Sequence, residues 1–374
     1  MPVTIGALRE SAPRETRVSV VPEVADKLAR EGARVVIERG AGERASFPDS
    51  LYKSVTWADS ASSVLAGSDV ILTVQPLTVE QIEQLKSGAV VIGFMQPHAR
   101  AAEVRALQAH GVTSFAMELV PRISRAQSMD ALSSQASIAG YKAVLIAASH
   151  LQKFLPMLTT AAGTIRPSQV LIIGAGVAGL QAIATARRLG AVVEAYDVRS
   201  ATREQVKSLG AKFVDTGVSA EGSGGYAREL TAEEKARQQE VLDSRIAAAD
   251  AVITTASVPG RPAPKIISRA AVERMRPGAV VVDIAAEQGG NCELTQAGEV
   301  LEHQGVKIVG PVNLPAELAY NASEMYARNL FNFLKPALVK GELVIDWSDE
   351  VFAQSCLTSG GQIKHEPTAK ALEG

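Results

Sequence analysis

Residues 170–173 (VLII) are a short apolar run, followed at once by Gly174-Ala175-Gly176-Val177-Ala178-Gly179 and then by the helical stretch LQAIATARRLG. A strand, a glycine loop and a helix in that order leave few folds open. Gly174 permits a tight turn, Gly176 removes a Cβ so that backbone can approach a diphosphate, and Gly179 lets the helix pack close to the strand. The helix start then offers free N–H groups and a partial positive charge. The pattern predicts a doubly wound α/β domain holding a dinucleotide on Gly174, Gly176, Val177, Ala178 and Gly179. The bland alternative is a glycine-rich turn in such a domain that binds nothing. Asp197 ends the predicted strand 192–196 and lies 197 − 174 = 23 positions after the first glycine. A carboxylate there accepts hydrogen bonds from the adenosine ribose hydroxyls and repels a 2′-phosphate, which favours NAD(H) over NADP(H). Arg199 pulls the other way, since arginine pairs with a 2′-phosphate.

The same alternation extends over the chain. Residues 3–8, 34–38, 70–74, 90–95 and 112–117 read as strands, with helical spacing at 23–30, 78–86 and 99–110. A second block has strands at 169–173, 192–196, 211–214, 251–255, 280–284 and 306–309. With 374 residues, the expected fold class is α/β: two Rossmann-like, doubly wound parallel-sheet domains joined by long helices. The linking helices are expected at 127–154, punctuated by Pro156 and residues 163–167, and at 316–334. This places residues 1–126 with 326–374 in one domain and 127–325 in the nucleotide-binding one. The Gly/Ser-rich stretch 216–226 reads as an inserted mobile loop, and the tail from Thr358 as a fraying end or tether.

Composition removes several classes. The 38 Lys+Arg against 40 Asp+Glu give a net charge of −2, without the basic excess of a nucleic-acid binder. No apolar run reaches the ~18 residues of a membrane span, and MPVTIGALRE lacks the pattern of an export signal. Cys292 and Cys356 are too few for a disulfide framework or a cysteine-ligated metal, and Cys292 reads as a small structural residue. The expectation is a cytoplasmic chain with no metal.

Acid/base candidates are scarce. His98, His110 and His150 lie in or beside helical stretches, where a lone histidine is more often packed or solvated. His303 falls in a polar loop and His365 in the tail. Glu287 follows the predicted strand 280–284 at the carboxyl edge of the sheet. It reads equally as a solvated turn acid and as a residue of the nicotinamide pocket.

Beyond these single residues, Arg122-Ile123-Ser124-Arg125-Ala126-Gln127-Ser128-Met129-Asp130, continuing to Gln135, resembles the signature of the NAD(H)-binding component of proton-translocating nicotinamide nucleotide transhydrogenases. The GAGVAG loop, PGRPAPKII (259–267) and GGNCE (289–293) match the same family, and the resemblance covers nearly the whole chain. It implies that Arg122, Gln127, Asp130 and Ser133 surround the nicotinamide and its phosphate and ribose. On the residues alone, Gln127, Asp130 and Ser133 would be read as helix capping. Tyr226 matches a tyrosine on the family's mobile loop; otherwise it is a loop aromatic. The resemblance further implies a homodimer and direct hydride transfer between NADH and NADP⁺, with NADP(H) held by a partner subunit. A membrane-embedded subunit would carry the protons, with this chain peripheral at the inner face of the membrane. The related alanine dehydrogenases are the alternative. Arg17 resembles their substrate-carboxylate arginine, but Gln75 and Gln96 stand where they carry a catalytic lysine and histidine, and Glu287 where they carry an aspartate. His98, two residues beyond Gln96, is the competing match for the histidine.

Overall fold

The computed structural model describes residues 2–218, 231–257 and 261–373. Contacts divide the chain into two compact units, Met1–Gln135 with Pro315–Gly374, and Ala136–Leu314. The first division falls inside the helix Ala131–His150, four residues after its start, and not ahead of it at residue 126.

In the first unit, strands β1 (Thr4–Ala7), β2 (Arg34–Glu38), β3 (Thr56–Ala58), β4 (Val70–Leu72), β5 (Val90–Gly93) and β6 (Thr113–Ala116) are all parallel. In the second, an isolated hairpin β7–β8 (Leu158–Thr160, Gly163–Ile165) precedes β9 (Gln169–Ile173), β10 (Val192–Tyr196) and β11 (Lys212–Phe213). There follow β12 (Ala251–Thr254), β13 (Val280–Asp283), β14 (Val300–His303) and β15 (Val306–Val309). The chain is back in the first unit from Pro315, where it adds a small hairpin, β16–β17 (Leu338–Val339, Glu342–Leu343), then β18 (Cys356–Ser359) and β19 (Gln362–Ile363).

The sheet orders are β19-β18-β6-β5-β4-β1-β2-β3 and β11-β10-β9-β12-β13-β15-β14. Each contains the doubly wound 3-2-1-4-5-6 arrangement, with antiparallel strands added at one edge. Central strands are buried on both faces and are accordingly almost wholly apolar: VIL in β4, VVIG in β5, AVIT in β12. Successive residues feed opposite cores, so Ile172 and Ile253 pack with Ala182 and Ile183, while Leu171 and Val252 pack with Leu242 and Ile246. In the first unit Tyr326, Leu330 and Phe333 of the helix Ala319–Leu334 cover one face, and Val64, Leu65, Val104 and Leu107 the other.

Three expectations are corrected. The tail from Thr358 does not fray. β18 pairs antiparallel with β6, and the buried Thr358 hydroxyl donates to Val112 O at 2.8 Å and meets Ser114 Oγ at 2.7 Å. Residues 163–167, read as punctuation, contribute a strand of the hairpin β7–β8. The linking helix is shorter than 127–154: a 3-10 turn, Ser124–Met129, precedes the α-helix Ala131–His150.

Candidate functional site

At the end of β9, Gly174 adopts φ +99°, a conformation that strains any residue with a Cβ. Its carbonyl accepts from Thr255 Oγ1 at 3.1 Å, and a Cβ on it would lie 2.4 Å from that hydroxyl. Gly179, in the helix Val177–Arg188, is needed for a different reason: a Cβ there would lie 1.8 Å from Gly174 O. Gly176 is the odd one out. Its φ is ordinary, a Cβ on it would meet nothing within 4 Å, and as N-cap it makes no side-chain capping bond. Among the described residues, no internal contact accounts for glycine there. Arg187 and Arg188 occupy the helix's last turn, where positive charge suits the dipole.

Asp197, at the end of β10, is buried, and its carboxylate ties the loop to the strand. Oδ2 accepts from Ala175 N at 2.7 Å and from Arg199 Nη2 at 2.9 Å. Oδ1 accepts from Arg199 N at 2.8 Å and Arg199 Nε at 2.9 Å. Burial alone would raise its pKa, but the Arg199 side chain and the two backbone donors outweigh it and hold the carboxyl below its ordinary value. Beside Asp197 opens a pocket of ≈ 360 Å³ walled by Tyr196, Val198, Phe213 and Val214. Arg203 lies over the Phe213 ring at 5.2 Å and is paired with Asp215 at 2.6 Å. Ser200, Asp215, Thr216 and Gln238 line it as well, so polar and charged groups make up at least as much of the wall as apolar ones.

Glu287 sits just past β13 in the turn Ala286–Gln288, exposed, and accepts from Asn313 N at 3.2 Å. The residue that organises this edge, and that the sequence did not single out, is Asp283. Fully buried, it accepts from Thr254 Oγ1 (2.9 Å), Ala285 N (3.1 Å), Cys292 N (2.9 Å) and Thr295 Oγ1 (2.7 Å). Asn291 bridges Ala256 and Pro264, and Cys292 is buried in the same latch, so GGNCE is a structural clasp on the strand ends. Tyr226 and Pro259 lie outside the described residues.

In the first unit the signature segment divides into anchors and exposed residues. Arg125 grips Asp349 with both terminal nitrogens (2.9 and 2.5 Å), and Ser128 O accepts from Asn329 and Asn332 (2.9 and 3.1 Å). Arg122 and Gln127 are exposed. Asp130 and Ser133 are brought together: Asp130 Oδ1 accepts from Ser133 N at 2.9 Å and Oδ2 from Ser133 Oγ at 2.5 Å, capping the helix Ala131–His150.

A second cluster gathers the residues likened to an amino-acid dehydrogenase site. Arg17 is buried, and Glu15 occupies its fork through Nε (2.8 Å) and Nη2 (2.7 Å), while Nη1 donates to Gln135 at 2.8 Å. Gln75 Nε2 donates to Glu15 at 2.7 Å, and Gln96 Nε2 to Gln75 at 2.9 Å. Burial opposes the charge on Glu15, yet Arg17 and Gln75 bring its pKa down to about 2. Gln96 and His98 are both exposed, and it is Gln96 that meets Gln75 and so joins the network.

Comparison with known proteins fits this architecture. The family model "Alanine dehydrogenase/PNT, C-terminal domain" matches residues 143–366, and its N-terminal counterpart matches residues 6–139. The chain is 45% identical over 370 residues to a Rhodospirillum rubrum protein named as the first portion of NAD(P) transhydrogenase subunit alpha, covering 96% of each chain. It is 31% identical over 291 residues to the alanine dehydrogenase of Mycobacterium tuberculosis, covering 76% of this chain and 73% of that one. A crystal structure of transhydrogenase from Sinorhizobium meliloti superposes with a TM-score of 0.88 at 45% identity, covering 96% of this chain and 99% of that one. The chain therefore belongs to the alanine dehydrogenase/PNT family, alongside relatives named as the alpha subunit of NAD(P) transhydrogenase.

Proposed function

We propose that this chain is the NAD(H)-binding subunit of a proton-translocating transhydrogenase, presenting NADH for direct hydride transfer to NADP⁺ held by a partner subunit. The observation that carries the choice over an amino-acid dehydrogenase is the Gln75–Gln96 contact at 2.9 Å. Two amides stand where the alternative needs a lysine and a histidine, and neither amide exchanges a proton near neutral pH. Hydride passage between two nicotinamides needs no proton donor.

The residues present fit the coenzyme: Gly176 leaves room at a helix N-terminus for the diphosphate, and Asp197 and the ≈ 360 Å³ pocket suit the adenosine. Bound NADH supplies the hydride. The chain's role is to bind and orient, and positioning alone can account for roughly 7–11 kcal/mol of barrier. In this reading Arg122, Gln127, Asp130 and Ser133 serve the nicotinamide end, the chain works as a homodimer, and partner subunits at the membrane carry the protons. Glu287 and Tyr226 are proposed as further nucleotide contacts.

Two assays test the reading. Mixed with an NADP(H)-binding partner subunit, the chain is expected to support reduction of an NAD⁺ analogue by NADPH. Alone, it is expected to show no NADH oxidation driven by pyruvate and ammonia; robust turnover there would favour the dehydrogenase.

A further inference from the structure

A carboxylate offers about four acceptor sites, and on Asp197 four donors are present: Ala175 N, Arg199 N, Arg199 Nε and Arg199 Nη2, at 2.7, 2.8, 2.9 and 2.9 Å. The two backbone donors are Ala175 of the glycine loop and Arg199, three residues past the strand, so they stay with the fold. The other two belong to one side chain that is largely exposed (60%), whereas the carboxylate it covers is 5% exposed. A ribose 2′,3′-diol needs two acceptors on this carboxylate, and the Arg199 fork occupies two, one on each oxygen.

We infer that Arg199 is an internal stand-in for the ribose diol: its guanidinium must leave Asp197 before the adenosine end of NAD(H) can seat. Arg199 is thus an affinity- and specificity-setting residue, and not a ligand of the unphosphorylated ribose. The inference rests on the proposed NAD(H) site and adds a competitor to it. The same geometry explains how the site tolerates a cation beside the 2′ position. While Asp197 is charged, the guanidinium is drawn to that carboxylate, so a 2′-phosphate meets a neutralised arginine and an adjacent negative charge. Remove the Asp197 charge, and Arg199 becomes available to the phosphate as a planar, two-donor partner.

The experiment is titration calorimetry of the full chain and its variants with NADH, AMP and 2′,5′-ADP. Arg199→Met keeps the aliphatic stem and removes the fork; it is expected to tighten NADH and AMP about two- to fivefold, the range of an ion pair with one exposed partner. The same variant is expected to weaken 2′,5′-ADP. Asp197→Asn is expected to reverse the order, weakening AMP at least tenfold while tightening 2′,5′-ADP. Arg199→Lys, a single point charge, is expected to fall between the unaltered chain and Arg199→Met. AMP affinity that drops or stays the same in Arg199→Met overturns the inference and makes Arg199 a ligand or a bystander. Failure of the unaltered chain to bind NADH or AMP at all is a separate result, seen before any variant is compared, and it removes the nucleotide site together with its competitor.

Discussion

Each unit must join the carboxyl ends of its first and fourth strands, the place where a doubly wound sheet opens its crevice, and the two do so with different chemistry. In the second unit the junction between β9 and β12 is made by small groups. Thr255 N donates to Ile173 O at 2.8 Å, its hydroxyl donates to Gly174 O, and Gly176 leaves open space beyond. In the first, the carboxylate of Glu10 spans from the end of β1 to the end of β4, accepting from Val74 N at 2.6 Å and Gln75 N at 3.2 Å. Behind it the Glu15–Arg17 pair and the Gln75–Gln96 chain continue the network. One topology thus yields a crevice whose strand junction is made of glycine, threonine and backbone N–H groups, and another filled with buried acids, an arginine and two amides. Sheet order locates the crevice, and loop residues decide whether the protein's own side chains fill it.

The sharpest way to break this contrast is Arg17→Met. Glu15 is 0% exposed, and without the guanidinium its charge is left buried and poorly compensated. Breaking such a pair costs about 3–5 kcal/mol, and urea unfolding is expected to show that loss. The double variant Glu15→Gln/Arg17→Met removes the stranded charge and is expected to recover most of it. A single-variant cost below about 1 kcal/mol would mean that this pair does not close the first crevice.

Acid titration probes the same network. Burial, opposed by the Val74 N–H, pushes Glu10 up from 4.5 to about 7, while Glu15 goes down to about 2. A raised carboxyl binds its proton more tightly in the folded state, so Glu10 makes folding less favourable as pH rises from 4.5 to 7, by up to about 3 kcal/mol. Glu15 has the opposite sign: its contribution is present above pH 4.5 and is lost as pH falls towards 2. Unfolding free energies across pH 2–8 are expected to show both slopes. Glu10→Gln is expected to flatten the upper window alone, and a surviving slope there would assign it to another group.

In the open crevice the test is a pair of glycines. Gly179→Ala drives a Cβ to 1.8 Å from the Gly174 carbonyl, so backbone must move, at about 1–3 kcal/mol of stability and with loss of NADH binding. Gly176→Ala meets nothing within 4 Å and is expected to change stability by less than about 0.5 kcal/mol. If a diphosphate approaches that backbone, the variant nonetheless weakens NADH, read by calorimetry, by tenfold or more. Unchanged affinity would leave the glycine loop as a packing device.

The open crevice was far more legible in the sequence than the filled one, and the reason is physical. Strand, glycine turn and helix N-terminus are local requirements, so Gly174, Gly179 and Asp197 announce themselves within one stretch of chain. Glu10, Glu15 and Asp283 are acidic residues whose burial depends on partners far along the chain: Val74, Gln75 and Thr254 respectively. Nothing local distinguishes them from solvated acids. The same holds for β18, whose Thr358 looks polar until Val112 and Ser114 satisfy it. Strands rich in β-branched residues match the sequence expectation to the residue at 169–173, 192–196 and 306–309. The edge strand β14, with its exposed Val300 and Glu302, carries no such enrichment.

Asp130 carries the smallest expected effect, and it separates two roles that share one geometry. As a cap it binds Ser133 N and Oγ, and Asp130→Ala is expected to cost about 1 kcal/mol of stability. Asparagine caps helices about as well as aspartate, so Asp130→Asn is expected to keep that stability within a few tenths of a kcal/mol. The two substitutions therefore differ on function. If Asp130 only caps, hydride transfer to the partner's NADP⁺ tracks stability and survives in Asp130→Asn. If it also orients the nicotinamide, Asp130→Asn loses transfer although its helix is intact, because an amide oxygen cannot replace a charged acceptor that serves the helix and the coenzyme together.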